Sequence, residues 1–308
     1  MNKMLFVFNP RSGKGQIGHH LLQITDIFTK AGYEVTVHPT QAQLDAYRYI
    51  MKREKDFDVI VCSGGDGTLN EAIRAFMELG CKKNLGYIPA GTMNDFASTL
   101  GIPKDMPKAA QTIVESLPVA VDIGSFGDEY FTYVAAFGVF TSVSYGTDQQ
   151  LKNSFGVLAY VIGALKAQQE INQTYHLKVK YDDVVIEDDF IFGMIANSMS
   201  VGGIKGLAGT DVWLDDGIFE GLLIRRPKTF IELQQIINSL LRHDFSSPYI
   251  YYFKSNHFEF ESQEEVAWTI DGEFGGNHKN VTIDNRHCAV NVYSGRNRVT
   301  IETPEISE

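Results

Sequence analysis

The 308 residues carry 44% hydrophobic and 21% charged side chains, the balance of an ordinary globular chain, which sets disordered and fibrous classes aside. A formal charge of -11 argues against an extended nucleic-acid surface, because a phosphate backbone is met by clustered Lys and Arg. The length exceeds what a single core usually serves, so two domains are expected.

The chain opens with an apolar run, Met4 to Phe8, that reads as a strand. It stops at Asn9-Pro10, too short for the core of a signal peptide. Further strand candidates are Glu34 to His38, Asp58 to Cys62, Leu85 to Ile88 and Val119 to Ile123. Helical spacing fills the intervals: Gln16 to Lys30, which ends at Ala31-Gly32; Leu44 to Arg53; a segment with Leu69, Ile73 and Phe76 on one face; and Met106 to Ser116. Alternating strands and helices predict an α/β fold, here an N-terminal doubly wound domain over residues 1–125 with a mainly parallel sheet.

After about Gly124 the texture becomes period-2 alternation between turn residues, which predicts antiparallel sheet. The runs are Phe131 to Phe140, Tyr175 to Tyr181, Val184 to Ser198, Ile218 to Ile224, His257 to Glu261, Val266 to Ile270 and Asn280 to Asp284. Two helices interrupt them, Gly156 to Gln169 and Thr229 to Leu241. Residues 126–308 are therefore expected to form a β-rich sandwich domain, whose extreme C-terminus has the option of returning to the first. The last residues, Ile301 to Glu308, read as an acidic, frayed tail. Cys62, Cys81 and Cys288 have no CxxC spacing, so a disulfide framework or a zinc site is not supported and a reducing cytosol fits. No stretch approaches the ~18 consecutive apolar residues of a membrane span. The clearest basic patch is Arg225, Arg226 and Lys228, readable as a solvated turn or as a membrane-facing element.

Three glycine-containing loops follow strands of the first domain: NPRSGKG at 9–15, GGDGT at 64–68 and PAGTMND at 89–95. Loops at the carboxyl ends of parallel strands face one crevice, where ligands bind. None matches the Walker loop or G-x-G-x-x-G. Helix capping is the competing reading, since Thr68 and Glu71 have capping-box spacing and Thr92 with Asp95 permits an N-cap. Capping accounts neither for Asp66 between Gly65 and Gly67 nor for three such loops. A carboxylate belongs beside a polyphosphate once Mg²⁺ bridges the like charges.

The set NPRSGKG, SGGDGTLNEA, IPAGTMNDFA and the late IDGE at 270–273 resembles the bacterial soluble diacylglycerol kinase and lipid kinase family, relatives of sphingosine and ceramide kinases, over essentially the whole chain. The resemblance implies ATP contacts at Asn9, Pro10, Arg11, Ser12, Gly13, Thr40, Gly65, Asp66, Gly67, Thr68, Leu69, Asn70, Glu71 and Thr92. It implies a magnesium and water network organised by Asp66 and Asp95, with Asp122 a weaker member. It implies Glu273 as the general base on the lipid hydroxyl, facing the nucleotide across a cleft that closes, and a structural metal loop at Trp213, Asp216 and Ile218. Read locally, Glu273 is one residue of a hairpin turn, and Asp215-Asp216-Gly217 is a good β-turn. Phe131 to Phe140 and Gly156 to Leu165 are the candidates for the acyl slot. The expected protein is a cytosolic, transiently membrane-associated kinase that uses ATP and Mg²⁺ to convert diacylglycerol to phosphatidate, binds no nucleic acid and, by resemblance, forms a homodimer. The alternatives are an NAD kinase and a nucleotide-binding sensor without catalysis.

Overall fold

The computed structural model describes residues 2–91, 94–138, 174–197, 200–201, 204–205, 214–242 and 244–295. The chain divides into two compact units with boundaries at Ile123/Gly124 and Arg286/His287, so His287 to Gly295 belong with the N-terminal part.

In the first unit β1 (Asn2–Phe8), β2 (Tyr33–Pro39), β3 (Val59–Gly64) and β4 (Asn84–Pro89) form parallel ladders in the order β4-β3-β1-β2. All six residues of β3 are buried, as expected of a strand covered on both faces. The connecting helices are α1 (Ile17–Lys30), α2 (Asp45–Arg53), α3 (Asp66–Leu79), α4 (Asp95–Thr99) and α5 (Met106–Glu115). Helix α1 packs with α5, and α2 with α3. Helix α3 ends at Gly80, whose φ of 57° gives the left-handed C-terminal stop that glycine adopts freely. Helix α5 starts on Asp105, whose side chain accepts from the Lys108 amide.

The next parallel neighbour of β4 is not β5 (Pro118–Phe126) but the far end of β15 (Glu273–Tyr293), which pairs Asn291 with Asn84 and Val292 with Leu85; β5 then pairs with β15. Val290 and Val292 are buried. The Ser294 hydroxyl and the Gly295 amide both donate to the Leu100 carbonyl, at 2.9 and 3.1 Å. The expected strand Asn280 to Asp284 is thus a small part of a strand of 21 residues. Alternation is lost in the sequence at the polar run Asn285-Arg286-His287, and Cys288 adopts a left-handed φ of 49°.

The second unit holds β6 (Glu129–Phe131), β7 (Val134–Gly138), β8 (Tyr175–Tyr181), β9 (Val184–Ala196), β10 (Ser200–Val201), β11 (Ile204–Lys205), β12 (Phe219–Arg225), β13 (Ile250–Ser255), β14 (His257–Ile270) and helix α6 (Phe230–Leu241). Strands β10 and β11 pair only with each other. Strand β6 pairs with β5, the others follow the order β13-β12-β9-β7-β14-β15, and β8 pairs with both β9 and β14. Registers place β7 and β8 end to end in one row: Gly138 is opposite Phe192, and Tyr175 is opposite Phe190. Gly138 ends its strand at φ 103°, where an added Cβ would lie 2.2 Å from the Ile191 carbonyl oxygen.

One sheet face buries Phe192, Met194, Leu222 and Ile224 under Leu233, Ile236, Ile237 and Leu240 of α6. The other is aromatic, centred on Trp268 with Phe126, Phe137 and Phe260 at ring distances of 4.9–5.1 Å, in the offset and edge geometries that ring quadrupoles favour. Tyr181 of β8 stacks on Phe253 of β13 at 4.2 Å, although β9 and β12 separate those strands in the order. The sheet therefore curls back onto itself, and the chain as a whole is an α/β unit plus a β-rich one.

Several expected elements differ from those observed. Phe131 to Phe140 is broken at Thr132-Tyr133, whose amides bond to Asp271 instead of a neighbouring strand. His257 to Glu261 and Val266 to Ile270 are one strand, because the polar residues 262–265 sit in a register shift and not in a turn. Strand β13 was not foreseen. Ile218 lies just outside β12, 37% exposed. In the basic patch, Arg225 is paired with Asp188 at 2.7 Å. The helix Gly156 to Gln169 and the tail Ile301 to Glu308 lie outside the described residues.

Glu220 of β12 is only 1% exposed and faces Lys254 of β13 at 3.1 Å. Burial pushes its carboxyl up to about 7, against the pull of Lys254. A carboxyl whose folded value exceeds its unfolded one binds more protons when folded, so stability falls as pH rises from about 4.5 through about 7. Glu220→Gln should remove that slope. Its unfolding free energy should exceed that of the parent at pH 8, by no more than about 3 kcal/mol, and converge with it near pH 4.5. An equal difference at both pH values would refute the assignment.

Candidate active site

The three glycine loops leave the carboxyl ends of β1, β3 and β4, and backbone bonds carry the ladder past the strands: the Asn9 amide donates to Ser63 O and the Ala90 amide to Gly64 O, both at 2.8 Å. The first loop then turns on an Asx bond, the Arg11 amide to Asn9 Oδ1 at 2.9 Å. Pro10 and Arg11 are exposed, while Ser12 bridges to the second loop by accepting the Gly65 amide at 3.3 Å. Gly13, at φ 55°, touches the third loop so closely that a Cβ would lie 2.1 Å from the Ala90 carbonyl oxygen. Second and third loops meet likewise, since a Cβ on Gly91 would stand 2.7 Å from the Gly65 Cα. Only glycine permits these approaches.

Asp66 is the first residue of α3, after Gly65 as N-cap. Its Oδ2 accepts the Asn94 amide at 3.3 Å, joining the second and third loops again. Asn94 itself is buried in a left-handed conformation, φ 54°, and closes a ring with Gly91: the Gly91 amide donates to Oδ1 at 3.0 Å, and Nδ2 donates to the Gly91 carbonyl at 2.7 Å. The Tyr87 hydroxyl sits 3.2 Å from Gly64 O and 3.3 Å from Asn94 Oδ1. Burial, with the Asp66 charge adding to it, raises the Tyr87 phenol well above its ordinary value, so the group stays a neutral donor. Neither Tyr87 nor Asn94 was singled out in the sequence as a site residue. The one signal available was that an Asn between two motif residues is a type that tolerates left-handed backbone.

The capping readings do not hold. Helix α3 has no side-chain cap, and Thr68 instead packs under Gly64, where a Cβ would clash with it at 2.3 Å. The Glu71 carboxylate points away to α2, accepting the Leu44 amide at 2.8 Å and the Ala46 amide at 3.1 Å. The N-cap of α4 is Asn94, not Thr92. Thr92 and the Asp95 side chain lie outside the described residues, whereas the Asp95 backbone opens α4. Leu69 turns its side chain into the core, Gly67 is exposed, and Asn70 is half-buried. Thr40 follows β2, its amide bonded to Phe8 O at 2.9 Å. Asp122 is fully buried in β5 and accepts the Cys288 amide at 2.7 Å; potential ligand atoms of Asp122, His287 and Cys288 lie within 4.8 Å of one another.

Glu273 belongs to the second unit. It is exposed and begins β15 directly after the two-residue turn Asp271-Gly272, with Ile270 paired across. In the proposed metal loop, Asp216 Oδ1 accepts the Ile218 amide at 3.0 Å, an Asx turn completed by Gly217 at φ 76°; Trp213 lies outside the described residues.

Residues 3–126 match the diacylglycerol kinase catalytic domain. A diacylglycerol kinase of Bacillus subtilis (strain 168) is 33% identical over 279 residues, covering 90% of this chain and 91% of its own. One of Staphylococcus aureus (strain MRSA252) is 34% identical over 275 residues, 88% of this chain and 85% of that one. The crystal structure of a candidate diacylglycerol kinase from Bacillus anthracis (strain Sterne) superposes with a TM-score of 0.82 at 25% identity, covering 96% and 95% of the two chains.

Glu71 offers a direct check on these contacts. Losing an acceptor of two helix-start amides should cost roughly 1–3 kcal/mol of stability, so Glu71→Ala is expected to lower the unfolding free energy of the nucleotide-free protein by that amount. A variant as stable as the parent that loses only ATP affinity would contradict the structural role.

Proposed function

The chain belongs to the diacylglycerol kinase family, and on that premise we propose that it transfers the γ-phosphate of ATP to the free hydroxyl of diacylglycerol, giving phosphatidate and ADP for membrane phospholipid metabolism. The observation that carries this reading is the backbone-to-backbone meeting of three post-strand loops around Asp66. The start of α3 at Asp66 suits a triphosphate, as helix N-termini do generally. Asn9 to Gly13, Thr40, Gly65 to Asn70 and Thr92 are the proposed contacts. Glu71 would act at one remove, by holding α2 in place.

Magnesium fits the donor set. Asp66, whose Oδ2 accepts the Asn94 amide where the second and third loops meet, supplies hard carboxylate oxygen, and oxygen ligands are what Mg²⁺ selects. Asp66 would hold it with Asp95 and Asp122 as outer members, and when bound it neutralises charge on the transferring phosphoryl group. Asp216 and Ile218, with Trp213, are proposed to hold a second, structural ion.

The protein's share of the chemistry is positioning and one proton. The acceptor hydroxyl oxygen forms its bond to the γ-phosphorus as the bond to the β–γ bridging oxygen breaks, and Glu273 takes the hydroxyl proton. Glu273 is exposed, as a base that must reach a lipid alcohol has to be. No described helix is long and apolar enough to cross a membrane. The proposed working arrangement is a cytosolic homodimer that visits the membrane surface to reach its acceptor.

The purified protein with labelled ATP, Mg²⁺ and separate pools of diacylglycerol, phosphatidylglycerol, sphingoid base and NAD should place label in phosphatidate. Glu273→Gln should lower kcat by about 10²- to 10⁴-fold while leaving the KM for ATP within about two-fold. Label entering NAD would overturn the acceptor, and a fully active Glu273→Gln would overturn the base.

A further inference from the structure

The turn that delivers Glu273 is unusual for a hairpin end. Asp271 and Gly272 have φ of 49° and 83°, the left-handed pair that a two-residue type I′ turn requires and that Asp-Gly satisfies. Such a turn needs nothing from its Asp side chain and normally leaves it in water. Here Asp271 is buried, 7% exposed, and its carboxylate accepts four hydrogen bonds. Oδ2 takes the Thr132 amide at 2.7 Å and the Thr132 hydroxyl at 2.9 Å; Oδ1 takes the Tyr133 amide at 3.0 Å and the Val134 amide at 3.1 Å.

The backbone of Asp271 goes to the same three residues. Its amide donates to Val134 O at 2.9 Å, and its carbonyl accepts the Tyr133 hydroxyl at 2.7 Å. The Tyr133 carbonyl in turn accepts the Asn197 amide at 2.8 Å. Burying a carboxylate is costly unless charge-assisted bonds offset it, so six bonds to one short segment amount to a clamp on the turn. Thr132 and Tyr133, between β6 and β7, pair with no strand, and Val134 opens β7 opposite Ala196. Two residues beyond the clamp, Glu273 is exposed.

We propose that Asp271 is a positioning residue that fixes the Glu273 carboxylate by anchoring the Asp271-Gly272 turn to residues 132–134. This rests on Glu273 being the base of the proposed kinase. The clamp holds the backbone from which Glu273 projects, while leaving its carboxylate open to an acceptor hydroxyl. Asn at this position would still make the turn but would present an NH₂ group to N–H or O–H donors in place of one oxygen.

Displacing a reacting group by about 1 Å costs on the order of 10²-fold in rate. Asp271→Asn is therefore expected to lower kcat by about 10- to 100-fold with the KM for ATP within about two-fold of the parent. The decisive measurement is the cycle with Glu273→Gln. If Asp271 acts through Glu273, adding Asp271→Asn to Glu273→Gln should lower kcat by less than about two-fold further. A loss that multiplies in the double variant, or an Asp271→Asn enzyme with the parent kcat, would overturn the proposal. Thr132→Val deletes one of the four bonds and keeps the amides; it serves in the same cycle with a smaller expected loss should Asp271→Asn fail to fold. A fully active Glu273→Gln removes the premise. An active Asp271→Asn beside an inactive Glu273→Gln removes only the positioning role.

Discussion

Backbone meets backbone at the ends of β1, β3 and β4, and the first unit depends on it. Gly13 against Ala90 and Gly91 against Gly65 leave no room for a Cβ, so three loops separated by tens of residues become one continuous surface of peptide groups. Side chains then tie it together in turn: Ser12 to the Gly65 amide, Asp66 to the Asn94 amide, Asn94 to Gly91. Peptide dipoles fixed in this way need little reorganisation when charge arrives. That is the requirement of phosphoryl transfer, where the protein contributes placement more than covalent chemistry.

Asp66 shows how one residue serves structure and chemistry through the same field. As the first residue of α3 it sits at the positive end of the helix dipole, where a carboxylate is favoured. A helix start of this kind also attracts polyphosphates in general, and a hard cation is what reconciles such an anion with a carboxylate. In the second unit the carboxylates divide their labour. Asp271 is sealed among donors, Glu220 is buried against one lysine and forced toward neutrality, and Glu273 is left exposed. Burial and donor count make Asp271 an anchor and Glu220 a near-neutral core group, while Glu273 faces solvent.

Where sequence pattern and local physics agree, the elements were legible. Strands β1, β3 and β4 are continuous apolar runs closed by Gly or Pro, and Thr229 caps α6 by accepting the Glu232 amide. The site loops were legible as motifs because glycine around a carboxylate has few other uses. Glu71 misled, since T-x-x-E spacing is that of a capping box. Its true partners, Leu44 and Ala46, lie 27 and 25 residues away and exist only because Leu44 takes a left-handed turn. Asp271 was invisible for the opposite reason: Asp-Gly is so ordinary a turn that nothing local marks its side chain as buried.

The amino-acid order alone determined the alternation of strands and helices in the first part, the antiparallel texture of the second, and which post-strand loops are rich in glycine. Those are properties of residues near one another in the chain, set by side-chain period and glycine's backbone freedom. Tertiary structure decided that β15 crosses from one unit to the other to lie beside β4, that Asn94 and Tyr87 support the loops, and that Asp271 clamps its turn to residues 132–134. Each depends on a contact between residues distant in sequence, and no periodicity encodes which distant partner satisfies a buried polar group.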